Sequence, residues 1–239
     1  MKHITIAMLI TLLTATVWAD SATFELGSGV DDAYGVTGAD DLNNWNHTTF
    51  QIFGHWHITD HRDMKAYYRW ALTLPRCSKV SASNVSFKAS NSDSLSFTAL
   101  IWGLLKDDKW EKPDAFKDTS YSNGSALDYI PITDTSVNYA PGPWTAGNWY
   151  DTPDISSIVQ EALDSTDYDP THYEDKYVGI KVEDNGSGPW TALYVRRPYS
   201  YENGAANAAE LDVIYIPRAE ASIGNFWQVR GGFIVYRGY

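Results

Sequence analysis

Eight consecutive residues constrain this fold more than any others. In Tyr67-Tyr68-Arg69-Trp70-Ala71-Leu72-Thr73-Leu74, the side chains Tyr68, Trp70, Leu72 and Leu74 alternate with Tyr67, Arg69, Ala71 and Thr73. Successive side chains of an extended chain point to opposite faces, so period two over this length predicts a β-strand with one buried face. Pro75 ends the run because it cannot donate to a ladder. Ser81-Ala82-Ser83 leads into a second segment, Val85-Ser86-Phe87-Lys88-Ala89, with Val85, Phe87 and Ala89 inward. Two adjacent amphipathic strands expose a large apolar face that needs a second sheet. The expected architecture is therefore all-β: an antiparallel, jelly-roll-like β-sandwich.

The rest of the chain fits that frame. Ala22–Leu26, Thr49–Ile58, Leu95–Leu105, Tyr177–Val182, Thr191–Val195 and Leu211–Ile216 read as further strands, Leu95–Leu105 as one buried on both faces. The stretch from Gly27 to Asn46 reads as a loop, and residues 106–148 read as irregular, with Ile130-Pro131-Ile132 a candidate short strand. One short helix is expected at Asp154–Leu163, where Ile155, Ile158, Val159, Ala162 and Leu163 share a face. Thr152 is its expected cap, with Pro153 in the first turn and Asp154 at the positive end of the dipole. Phe226–Val229 and Phe233–Tyr236, joined by Arg230-Gly231-Gly232, read as a C-terminal hairpin.

These readings divide the chain into a signal segment at 1–19, a sandwich domain at 20–217 and a hairpin extension at 218–239. Lys2 precedes a short apolar run from Ile4 to Leu13, and Val17-Trp18-Ala19 places small residues before a cut at Asp20. That pattern predicts secretion to the extracellular space or the periplasm, with no membrane insertion, since the apolar run is too short to span a bilayer. A net charge of −12 argues against nucleic acid and anionic membranes as partners, because both repel it. Cys77 has no partner for a disulfide, so stability must come from the core, for which ten Trp, sixteen Tyr and eight Phe are available.

The order of these blocks resembles the DNRLRE-type domain, a secreted β-sandwich module that overlaps a carbohydrate-binding module family. The resemblance lies in Asp32-Ala33-Tyr34, in Tyr68-to-Pro75, and in Val80-Ser81-Ala82-Ser83-Asn84-Val85-Ser86-Phe87. It continues in Asp154-Ile155-Ser156-Ser157-Ile158-Val159-Gln160-Glu161, Gly179-Ile180, Tyr194-Val195-Arg196-Arg197 and Leu211-Asp212-Val213-Ile214-Tyr215. It covers roughly residues 22–216, and the family's Ser/Asn-Arg-Glu signature is replaced here by Val195-Arg196-Arg197. What the resemblance implies is a non-catalytic protein that binds a polysaccharide or a cell-surface glycan.

Aromatic rings in loop-like contexts suit that role, because sugar C–H faces stack on Trp and Tyr while hydroxyls take polar partners. Trp144, Trp149, Tyr150 and Trp190 are the candidate ligand-binding rings, with Arg196 and Arg197 as polar partners; Trp70 and Trp102, on strands, belong to the core. For a metal, His55 and His57 would share a strand face, and Asp31 with Asp32 forms an oxygen-rich pair suited to structural calcium. No catalytic motif stands out: there is no Gly-x-Ser-x-Gly, and acid pairs arise freely among 30 carboxylates. Two alternatives stay open. One is a structural or adhesive protein that self-associates through Phe226–Tyr236; the other is a polysaccharide-active enzyme.

Overall fold

The computed structural model describes residues 19–28, 31–37, 51–56, 62–72, 74, 78–105, 130–165, 177–186, 192–217, 228–230 and 233–235. The expected signal up to residue 18, Asp40, Asp41, His57, Cys77 and Trp190 lie outside the described residues.

In chain order the strands are β1 (Asp20–Glu25), β2 (Asp32–Thr37), β3 (Phe53–Trp56), β4 (Arg62–Ala71), β5 (Lys79–Lys88) and β6 (Ala99–Leu104). They continue as β7 (Ile132–Tyr139), β8 (Trp149–Asp151), then helix α1 (Ser156–Asp164), β9 (Tyr177–Asp184), β10 (Tyr194–Arg196) and β11 (Glu210–Ile216). The hairpin strands β12 (Gln228–Arg230) and β13 (Phe233–Val235) pair with each other in a sheet of their own.

The protein is an antiparallel β-sandwich. The smaller sheet runs β1-β11-β5-β8, and the larger runs β10-β3-β4-β9-β6-β7 with β2 added on β4. Strand β3 pairs with Arg62–Met64 and β9 with Ala66–Ala71, so these two strands follow one another along a single edge of β4. Strand β2 takes the opposite edge.

Alternation explains what fills the space between the sheets. Tyr68 and Trp70 from β4, Val85 and Phe87 from β5, Ile101 from β6 and Leu211 from β11 are all fully buried. Phe87 lies 5.3 Å from the Tyr68 ring and 5.8 Å from Phe53, ring centre to ring centre. Each such side chain contributes roughly 1.5–3 kcal/mol on leaving water. The indole Nε1–H of Trp70 crosses the sandwich and donates to the Ala209 carbonyl at 3.1 Å, so the largest core residue is also a polar tie between sheets.

Several expectations need correction. β4 and β5 are not neighbours: β4 pairs with β2, β3 and β9, whereas β5 pairs with β11 and β8. The two amphipathic strands face each other across the core, each burying the other's apolar side. The second face of β4 is not solvent-exposed either. Tyr67 and Arg69 are buried, Tyr67 in a small cluster with Ala33, Leu104 and Ile130. Asp32–Thr37, read as loop, is strand β2, and an eight-residue strand, β7, runs through Ile132–Tyr139 in the segment read as irregular. Leu95 is 40 % exposed, and the strand expected there begins only at Ala99.

Helix α1 begins at Ser156, with Ile155 at its cap position. Thr152 does not cap it: the Thr152 hydroxyl oxygen accepts from the Val85 N–H at 2.9 Å and donates to the Pro153 carbonyl. Asp154 takes the helix end instead, its Oδ1 accepting from the Ser156 N–H at 3.0 Å and from the Ser83 N–H at 2.9 Å. The helix packs Ile158, Val159 and Ala162 onto the sandwich. Gly103 makes that approach possible, since a Cβ there would lie 2.6 Å from Ile158 Cγ2 and from Thr133 Cγ2.

Candidate functional site

The smaller sheet has one face on the core and one turned outward. Period two places Lys88, Ser86 and Asn84 of β5 outward, with Trp149 and Asp151 of β8, Glu210 and Asp212 of β11, and Thr23 and Glu25 of β1. The register arranges them in rows. Asp151 sits opposite Ser86, Ser86 opposite Glu210, and Glu210 opposite Glu25. One row therefore crosses four strands, a span of about 14 Å at the usual strand spacing. The next row is Asn84, Asp212 and Thr23.

Hydrogen bonds hold these rows in place. Ser86 Oγ donates to Asp151 Oδ1 at 2.7 Å, and Thr23 Oγ1 donates to Asp212 Oδ1 at 2.5 Å. Partial burial, together with the charges of Asp212 and Glu25, raises the Glu210 carboxyl above its ordinary range. The face is anionic and rich in acceptors.

Trp149 marks one end of it. On a three-residue strand with period two, Trp149 and Asp151 point out while Tyr150 points in. Trp149 is 39 % exposed and stands opposite Lys88 on β5. Lys88 Nζ lies 5.6 Å from the centre of the Trp149 ring and donates to Asn207 Oδ1 at 2.8 Å. Among the described residues the exposed large apolar side chains are Leu95, Trp149, Leu193 and Ile214, and Trp149 is the aromatic one.

The other expected ligand-binding residues are placed differently. Trp144 is 2 % exposed, edge-on to Phe53 at 6.0 Å, and Tyr150 stacks against it at 5.1 Å with planes 10° apart. The Tyr150 phenol oxygen accepts from the Thr145 N–H at 2.7 Å, which lowers its pKa below the usual phenol range. Arg196 is fully buried. Its guanidinium donates to the carbonyls of Pro141 at 2.8 Å, Gly142 at 2.7 Å and Val195 at 2.8 Å. It also lies over the rings of Phe97 and Trp144. Burial lowers its pKa. It is a clamp on the loop that carries Trp144 into the core, and its donors are already engaged. Arg197 is half-buried and paired with Asp93, Nε to Oδ2 at 3.3 Å and a closer contact from its terminal nitrogen to Oδ1.

Of the expected metal residues, His55, Asp31 and Asp32 are described. His55 is buried in the larger sheet, where the end of β9 meets β3; its Nδ1 lies 3.1 Å from Asp184 Oδ2 and its ring packs on Tyr194 at 4.8 Å. Asp63, its cross-strand partner, has its pKa raised by burial and by Asp184. Asp31 is spent on Arg69, with Nε to Oδ1 at 2.7 Å. Asp32 accepts from the Tyr201 N–H at 2.9 Å. Among the described residues no group of three or more His, Cys, Asp or Glu side chains is placed to hold a metal ion.

Sequence reasoning missed Lys88, Asn207, Ser86, Asp151, Glu210, Asp212 and Glu25. The outward position of Lys88 and Ser86 was readable from the alternation in β5. Their neighbours were not, because β8 and β11 reach β5 from more than sixty residues away.

Comparison of the chain with protein-family models and with curated proteins finds no match.

Proposed function

We propose that the protein is an exported, non-catalytic β-sandwich that binds a polysaccharide or a cell-surface glycan on the outer face of its smaller sheet. The observation that carries this reading is Trp149, an exposed indole beside the Lys88–Asn207 pair and next to the row of carboxylates and a hydroxyl that begins at Asp151. A tryptophan held on a rigid strand offers a stacking surface for a sugar ring, and side chains aligned across strands offer partners for successive hydroxyls. The resemblance to DNRLRE-type domains supports the same role, and the signal-like segment at 1–19 supports export. Trp144 and Arg196, expected in the binding site, serve it indirectly by fixing the chain that leads into β8.

A glycan array probed with the purified protein tests the reading. Binding to at least one polysaccharide family, competed by its own oligosaccharides, is the expected result. An array without binders would defeat it.

A further inference from the structure

Four buried side chains in and beside the larger sheet carry oxygens that the described residues leave unanswered. Asp32, Gln51, Tyr68 and Ser200 are each at most 1 % exposed. The oxygens Asp32 Oδ1, Gln51 Oε1, the Tyr68 hydroxyl and Ser200 Oγ accept no hydrogen bond of normal geometry from the described residues. A bare buried polar group is costly, so native interiors pair nearly all of them. Four buried oxygens on four residues call for a bound species.

The four residues belong to one neighbourhood. Asp32 and Tyr68 are Cα partners in the β2–β4 ladder, and the carboxylate acts on the buried phenol. The Gln51 amide nitrogen is directed at the Asp32 carboxylate, which leaves the amide oxygen for another partner. The Gln51 N–H donates to the Pro198 carbonyl at 2.8 Å, which draws it toward the segment carrying Ser200. Immediately after Ser200, the Tyr201 N–H donates to Asp32 Oδ2 at 2.9 Å.

The charge balance is one-sided. Asp32 is 1 % exposed, and the acids Asp31, beside it in the chain, and Glu202, beside its hydrogen-bond partner Tyr201, add negative charge around it. The nearby guanidinium of Arg69 is paired with Asp31. A buried carboxylate without a countercharge is costly, and an ion can supply that charge where no described side chain does.

The geometry points to an enclosed cation site in which Asp32, Gln51, Tyr68 and Ser200 offer oxygen ligands to one alkali-metal ion, sodium or potassium. The donors are hard oxygens, and a single carboxylate balances a single positive charge. Calcium takes six to eight oxygens and is usually held by several carboxylates, a set these four residues do not supply.

The test is thermal unfolding of the whole protein in choline chloride, titrated with NaCl, KCl or CaCl2 at constant ionic strength. A saturable rise in melting temperature of roughly 3–6 °C with sodium or potassium is expected, as for an ion that binds only the folded chain. Asp32→Asn keeps the side-chain shape and removes the charge, and it should abolish the rise. Tyr68→Phe removes one oxygen and should raise the half-saturating concentration several-fold, with the circular dichroism spectrum unchanged. A melting temperature indifferent to both alkali ions, as buried water alone would leave it, overturns the assignment. So does a response to calcium only, or a response that Asp32→Asn retains. If Asp32→Asn fails to fold, Tyr68→Phe decides alone, and an unchanged half-saturation overturns the site.

Discussion

Arg69 is bound to Asp31 twice: its Nε donates to the Asp31 carboxylate at 2.7 Å, and its backbone N–H donates to the Asp31 carbonyl at 2.9 Å. The guanidinium also sits 4.7 Å from the centre of the Tyr177 ring. The pair extends the β2–β4 ladder by one step and closes the outer side of β4 with a neutralised charge. Removing one partner of a buried pair strands the other, at a cost of about 3–5 kcal/mol. Arg69→Met should therefore destabilise the protein by that amount in urea denaturation. Arg69→Met combined with Asp31→Leu should recover much of the loss; a double variant no better than the single would mean that Asp31 has another role.

Trp149→Ala should separate binding from folding. The side chain is exposed at the edge of a sheet, so stability should move by no more than about 0.5 kcal/mol. Glycan binding should fall at least ten-fold by titration calorimetry. Unchanged affinity would move the binding surface elsewhere on the molecule.

Gly54 lies in β3 at φ +119°, and a Cβ there would come within 2.1 Å of the Tyr194 carbonyl oxygen. Both strain and collision fall on backbone, which cannot swing away as a flexible side chain can. Gly54→Ala should cost more than about 3 kcal/mol, with β10 displaced from β3. Soluble yield and chemical denaturation would read this out, and a variant as stable as the parent would contradict the close approach.

Glu210 gives a pH signature. Its folded pKa is raised, so the folded chain holds the proton more tightly than the unfolded one. Stability from this group is greatest below the unfolded pKa and declines as pH rises through the folded one. Glu210→Gln should stabilise the protein slightly at neutral pH, by a few tenths of a kcal/mol because solvent screens the site, and leave it unchanged in acid. Melting curves at pH 7 and pH 3 compare the two cases.

Arg196→Met tests the clamp. Losing the donors to Pro141 and Gly142 leaves one buried carbonyl, that of Pro141, and a partly shielded one, that of Gly142, without their partner. A loss of about 2–4 kcal/mol is expected, with a weakened near-ultraviolet signal from the Trp144–Tyr150 stack.

The periodic segments were legible in the sequence because burial is decided locally by alternation. Val85, Phe87, Tyr68 and Trp70 all point where period two placed them. Partnership was not legible. Nothing local in Tyr67–Ala89 tells that its two strands join different sheets, since pairing is settled by segments far along the chain. β2 and β7 were overlooked for a related reason: Asp, Gly and Asn lower β-propensity, and tertiary contacts outweighed it. The binding rings divided in the same way. Trp144 and Trp149 look alike in a loop-like stretch, and only the isolated bridge to Asp93 and the β5–β8 ladder set one inside and the other outside.

The smaller sheet has a consequence for how the protein reaches its native state. Asp20 of β1 aligns with Tyr215 of β11, and β11 itself separates β1 from β5. Residues at the head of the sheet therefore wait for almost two hundred others before they find a partner. Folds of such high contact order form slowly, because loop closure must be completed before the distant pairing rewards it. A chain emerging from its first strand onward can build little of this sheet until β11 has followed, and β1 spends that interval as an unpaired edge.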